Sequence, residues 1–188
     1  MSLWGATDSD ESKPKNLTTA EKKEVFASAK GWVREAGSIL SGNDNTSATP
    51  EVLVALRGLA TKLGVADITS IDFNITAFDK SDGGTLSVTA RFNEAVDVTG
   101  TPQLTVTNDQ RANHTLSYAS GSTSNELIFN LTIPAANAAT SAGDVLSIGS
   151  NAVSLNGGTI VDTAGGGNST ITNSGAIGTA AGTITVSA

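Results

Sequence analysis

VDVTGTPQLTVTN (96–108), HTLSYASGSTSNELIFNLTIPA (114–135) and GDVLSIGSNAVSLNGGTIVDTAGG (143–166) decide the fold of this chain. In NELIFNLTI (125–133), Leu127, Phe129, Leu131 and Ile133 fall on one face, while Ile128, Asn130 and Thr132 fall on the other. That period of two is the signature of a half-buried strand. Leu104 and Val106 repeat it in QLTVT, Leu116 and Tyr118 repeat it in HTLSY, and Val145, Leu146 and Ile148 supply a later strand. Turn residues separate these runs at Gly100 to Pro102, Ser120 to Ser122 and Gly157-Gly158. Several short strands at this spacing predict a β-sandwich or barrel.

The pattern extends toward both ends. Upstream, Ile71, Phe73 and Ile75 alternate with polar residues in ITSIDFNITAF, and Asp82-Gly83-Gly84 turns into TLSVTARF with Leu86, Val88 and Ala90 facing inward. Downstream, Thr163 to Gly182 is mostly Ala, Gly, Thr, Asn and Ser and reads as a long loop. Thr183 to Ser187 then offers a closing strand through Ile184 and Val186.

TGTPQLTV (99–106), SYASGSTSNELIFNLTI (117–133) and AVSLNGGTIVDTAGG (152–166) together resemble the immunoglobulin-like repeats of large surface proteins from cyanobacteria and other bacteria. The likeness covers about residues 83 to 170, in one copy where such repeats usually stand in tandem. It implies an immunoglobulin-like β-sandwich over 65–188 and a setting on a cell or particle surface, without implying an activity.

The first 64 residues read differently. MSLWGATDSDESKPKN mixes Leu3 and Trp4 with charges around Pro14 and has no period, so it is expected to be an extended arm. A Trp on such an arm either anchors a partner or packs back on its own small domain. Thr18-Thr19-Ala20-Glu21 fits a capping box, and Val25, Phe26 and Ala29 give a narrow apolar stripe, predicting a helix over 18–30 that stops at Gly31. Trp32 follows beside that turn, and Ser41 to Thr49 reads as a polar linker. Thr49 as N-cap, Pro50 at the first helical position, Glu51 and a closing Gly64 predict a second helix, with Val52, Leu56, Leu59 and Leu63 on one face. Two short helices have too small a core to stand alone, so residues 1–64 are expected to fold against a partner.

MSLWG, GWVREAG (31–37) and PEVLVAL (50–56) are similar to segments of small virion structural proteins of tailed phages, above all the contractile-tailed phages of marine cyanobacteria. The likeness implies a capsid- or tail-associated protein made in many copies. It agrees with the first resemblance, because a particle displays an immunoglobulin-like domain without secretion. The N-terminus has no apolar core that would serve as a secretory signal, so assembly inside the cell is the expected route to a surface.

Composition narrows the chemistry. The chain has 188 residues, no Cys, one His and a formal net charge of −7. Residues 1–64 hold eight basic and eight acidic side chains, while residues 65–188 hold three basic (Lys80, Arg91, Arg111) against ten acidic. An acidic β region repels nucleic acid and favours solubility. With a lone His114 and no Cys, neither a nucleophile–base triad nor a His-rich metal site can be assembled, so no catalytic residue and no cofactor is expected. Asp79, Asp82 and Asn74, or Asp162 with Asn168, are oxygen donors that suit calcium, but the Asp79-x-x-Asp82-Gly83 spacing departs from an EF-hand loop and Asp in such turns usually caps its own backbone.

The expectation is a non-enzymatic capsid decoration protein: residues 1–64 dock on the shell through Leu3, Trp4, Trp32, Val52, Leu56, Leu59 and Leu63, and residues 65–188 project. The expected partners are the major capsid protein or another virion protein, with host surface polysaccharide and a second copy of the chain as further candidates. Nucleic acid and membrane are not expected partners. A neck or tail component is the alternative within that class. A bacterial adhesin or carbohydrate-binding module is the alternative outside it.

Overall fold

The structure, a computed structural model, describes residues 13–14, 16–38, 45–55, 65–165 and 167–188. It is mainly β, with two sheets. The larger sheet contains β4 (Ile68–Phe73), β5 (Phe78–Asp79), β6 (Gly84–Thr99), β7 (Gln103–Asn108), β8 (His114–Ser120), β9 (Ser124–Ile133), β10 (Val145–Ser154), β11 (Thr159–Asp162) and β12 (Thr183–Ser187). Its order is β11-β6-β9-β8-β7-β10-β12-β5, with β4 also paired to β6. The sheet curls around one core that draws on all nine strands.

The alternation in the sequence accounts for that core. Leu127, Phe129 and Ile133 are buried and Leu131 is half-buried, whereas Ile128, Asn130 and Thr132 keep contact with solvent. Leu104, Val106, Leu116, Leu146, Ile148, Leu86, Val88, Ala90, Ile184 and Val186 are buried as their periods require. Tyr118 is half-buried, meets Phe129 edge-on with ring centroids 6.2 Å apart, and its hydroxyl accepts from Ser122 N–H at 2.8 Å to hold the β8–β9 turn. In the same turn, Gly121 has φ +111°, and a Cβ there would lie 1.9 Å from the Glu126 carbonyl oxygen. Only glycine fits that position.

At 16 residues, β6 is the longest strand. It pairs with β9 along one edge, and with β4 and then β11 along the other, bulging between Arg91 and Val96. The long loop expected over 163–182 contains instead a helix, α2 (Gly175–Ala180), capped by Ser174. Gly178 explains its placement: a Cβ there would sit 2.1 Å from the Ile148 carbonyl oxygen, so the helix reaches β10 only through a residue without one.

The N-terminal region departs most from its sequence reading. The capping box forms: Thr18 Oγ1 accepts from Glu21 N–H at 3.2 Å and Thr18 N–H donates to the Glu21 carboxylate at 2.9 Å. The helix it starts, α1, covers only Thr19–Lys23 rather than 18–30. None of its residues is buried, so nothing rewards its extension. Val25 and Ala27 instead bury their side chains by forming β1 (Val25–Ser28) against β2 (Gly31–Arg34).

The second expected helix is corrected as well. Glu51–Ala55 forms strand β3, paired to β2 with Trp32 opposite Val54 and Arg34 opposite Glu51. Val52 and Val54 are β-branched and suit a pleated edge, and Pro50 precedes that strand rather than opening a helix. Residues 56–64, with Leu56, Leu59 and Leu63, lie outside the described residues. The N-terminal region, expected from the sequence to be helical, is thus over its described residues one short helix and a three-stranded antiparallel sheet.

Candidate functional site

The small sheet builds its own core. Trp32 is fully buried among Val25 and Ala27, with Leu17, Leu53 and Val54 packed around them. Its ring is an internal anchor and not the exposed docking contact expected from the sequence. Val52 is 44 % exposed, the most exposed large apolar side chain among the described residues. It sits on β3, at the outer edge of the order β1-β2-β3, and among the described residues β3 pairs only with β2. An edge strand with exposed apolar side chains is a template for another chain. Leu3 and Trp4 lie outside the described residues.

A relay of charges joins the small sheet to the large one. Lys23, at the end of α1, pairs with Asp72 on β4. Asp72 also accepts from Arg91 on β6 at 3.1 Å, and Arg91 Nε lies 2.7 Å from Glu126 on β9. Next to Glu126, the amide of Asn125 donates to Glu35, just beyond β2, at 2.6 Å. Burial, reinforced by the neighbouring Glu126 carboxylate, pushes the Glu35 carboxyl up to about 7. Glu35 N–H donates to the Glu24 carbonyl at 2.9 Å, and the Glu24 carboxylate accepts from Ser38. The junction is therefore polar and carries more acid than base. Its members stand at positions 35, 72, 91 and 126, too far apart in the chain for any motif to reveal them.

Between α1, the start of β4 and α2 lies a cleft of about 400 Å³. Lys13, Lys22 and Lys23 line it together with Ile68, Ser70 and Ile177, and Asp67 is its single carboxylate among the described residues. Lys13 Nζ donates to the Lys22 carbonyl at 2.6 Å, which ties residue 13 to α1. Sequence reasoning missed this cleft because the segment that forms α2 read as a loop.

Three of the oxygen donors considered for calcium, Asp79, Asp162 and Asn74, are engaged in hydrogen bonds within the chain. Asp79 Oδ1 accepts from the Ser81 hydroxyl at 2.6 Å and from Ser81 N–H at 2.8 Å, and Asp79 Oδ2 accepts from the Ser187 hydroxyl at 3.0 Å, bonds that hold its carboxyl below the usual range. Asp162 Oδ1 accepts from the N–H groups of Ala164 and Gly165 at 2.6 and 2.9 Å. Asn74 bridges Ser87 and Thr89. Among the described residues no three His, Cys, Asp or Glu side chains are grouped to hold a metal ion.

His114 belongs to a buried polar cluster. Its Nε2 lies 3.5 Å from the Asn108 amide, which also donates to Asp144 at 2.9 Å. Burial pushes the imidazole pKa down, against the pull of Asp144. Arg111 Nε stands 3.4 Å from Asp144, which closes the cluster over the β7–β8 and β9–β10 connections. No helix among the described residues is long and apolar enough to cross a membrane. No protein-family model, curated protein or solved structure matches the chain.

Proposed function

We propose that this chain is a non-enzymatic virion structural protein, a capsid decoration protein that docks through its N-terminal region and projects an immunoglobulin-like β domain. The observation that carries the reading is the pairing of β2 with β3. These strands hold GWVR of GWVREAG and EVLVA of PEVLVAL, two of the three segments that resemble phage virion proteins, and they meet in one small sheet whose edge strand exposes Val52. A partner strand added to that edge would gain main-chain hydrogen bonds and cover Val52. The curled, acidic β region is consistent with an immunoglobulin-like domain held in solvent.

Docking of this kind acts by mass action. A protein that binds the closed shell but not its loose subunits lowers the free energy of the closed particle at each site by RT ln(1 + L/Kd), with L its free concentration. The partner is then the major capsid protein or another virion protein, met on the capsid surface after assembly in the host cytoplasm.

Quantitative mass spectrometry of separated head and tail fractions tests the reading, with wild type compared against Val52→Lys. Many copies tracking the major capsid protein, reduced at least tenfold by Val52→Lys at unchanged thermal stability, are expected. A few copies confined to the tail fraction would assign a neck or tail component instead. Absence from both would leave a cell-surface adhesin or carbohydrate-binding module as the better account.

A further inference from the structure

We propose that the seam between the two sheets is a proton-operated latch. Glu35 and Glu126 hold one proton between them while the small sheet is seated on the large one, and losing it releases the small sheet. The latch does not depend on what the β3 edge binds. Its geometry puts two acids at one seam with a base that both strands beside it share. Glu35, just beyond β2, accepts from the Asn125 amide on β9 at 2.6 Å, and its carboxyl lies within hydrogen-bond reach of the Glu126 carboxylate. Arg91 Nε on β6 stands 2.7 Å from Glu126, but the same guanidinium donates to Asp72 on β4 at 3.1 Å. Among the described residues, Glu126 and Arg91 are the charged groups that act on Glu35. Further along the seam, Lys23 on α1 pairs with Asp72. The Glu24 carboxylate accepts from Ser38, and Arg34 on β2 lies 3.5 Å from Glu21 and 3.9 Å from Glu51. β1, which packs on β6, carries no charged residue.

Two carboxylates in one desolvated site resist ionising together, so one keeps its proton and donates it to the other. Burial, and then the Glu126 charge, raises the Glu35 carboxyl from its ordinary 4.5 to about 7 while the small sheet is seated. Release into water restores the ordinary value, so the seated state binds an extra proton between the two. Seating is therefore strongest below 4.5, weakens by up to about tenfold per pH unit in between, and is constant above about 7. The cores of the two sheets are apolar and have nothing to titrate, so each sheet stays folded while the attachment between them changes.

The chain has no Cys, so spin labels on Lys30→Cys in the β1–β2 turn and Thr132→Cys on β9, both exposed positions, report the distance between the sheets in the full chain. Double electron–electron resonance is expected to give one narrow distance at pH 5. At pH 8 a second, longer distance should appear, its fraction at least tenfold higher, with far-UV circular dichroism unchanged. Glu35→Gln, similar in shape but without a charge, should hold the narrow distance at both pH values. Glu126→Gln should cut the longer fraction at pH 8 at least threefold. One distance distribution at both pH values, opening at pH 5 rather than pH 8, or opening of Glu35→Gln to the wild-type extent would overturn the latch. Loss of strand signal alongside opening would mean local unfolding and overturn it as well. Opening of Glu126→Gln to the wild-type extent would overturn the shared proton.

Discussion

The two sheets bury their apolar residues by opposite means. The large sheet curls around one shared core to which each of its nine strands contributes, and long side chains such as Phe92, Phe129 and Leu127 are entirely covered. The small sheet has three short strands and gathers Val25, Ala27 and the half-buried Leu53 and Val54 around a single large residue, Trp32. The first core is redundant, whereas the second depends on one ring.

That contrast can be broken most directly by truncating each centre. Phe129→Ala should cost about 3–5 kcal/mol and lower the single main unfolding transition of the large sheet. Trp32→Ala removes a similar transfer energy from three strands that cannot absorb it. It should abolish hydrogen-exchange protection over residues 25–34 while leaving the main transition of the large sheet in place. Differential scanning calorimetry with amide exchange reads both. Loss of the main transition in Trp32→Ala would show that the two cores are energetically one.

The next effect lies at the junction. Arg91→Ala leaves Glu126 without its cation and Asp72 with only Lys23, at about 1–3 kcal/mol in chemical denaturation. A cost below about 0.5 kcal/mol would mean that the ion pairs are solvent-screened and that apolar contact alone joins the sheets.

The smallest effect is a pH response. Glu35, with its folded pKa raised to about 7, holds its proton in the folded chain where the unfolded chain has released it. Its contribution is fully present below the ordinary glutamate range, declines as pH rises toward about 7, and is constant above that. Glu35→Gln should flatten this decline and, at pH 8, raise the stability of the β1–β2 hairpin by about 1–2 kcal/mol. Amide exchange of residues 25–34 at pH 5 and pH 8 checks it, and an identical pH profile in both proteins would remove Glu35 from the junction.

The large sheet was legible in the sequence because its strands run long enough for a period of two to repeat three or four times, as in Leu127, Phe129, Leu131 and Ile133. The small sheet was not legible. Val25-Phe26-Ala27 and Val52-Leu53-Val54 are too short to separate a strand from a helix. The signals beside them, Thr18 with Glu21 and Thr49 with Pro50, are genuine helix-start chemistry. One of those signals does start a helix, but tertiary pairing with β2 takes the chain over after Lys23. Gly31 follows the same logic, ending no helix but turning a hairpin at φ +122°. The junction and the cleft were hidden for another reason: no residue in either identifies its partners until the fold has brought distant positions together.

At one end of the curled sheet β12 runs parallel to β5, with Val186 beside Phe78 and Ser187 beside Asp79. These partners are more than a hundred residues apart, as in the bond from the Ser187 hydroxyl to the Phe78 carbonyl. No disulfide is available to bring the ends together early, because the chain has no cysteine. Closing so long a loop must be paid in chain entropy before its contacts return anything, which places this chain among slow folders, on a timescale of milliseconds to seconds. A nascent chain therefore carries β5 without its partner strand until residues 183–187 have left the ribosome.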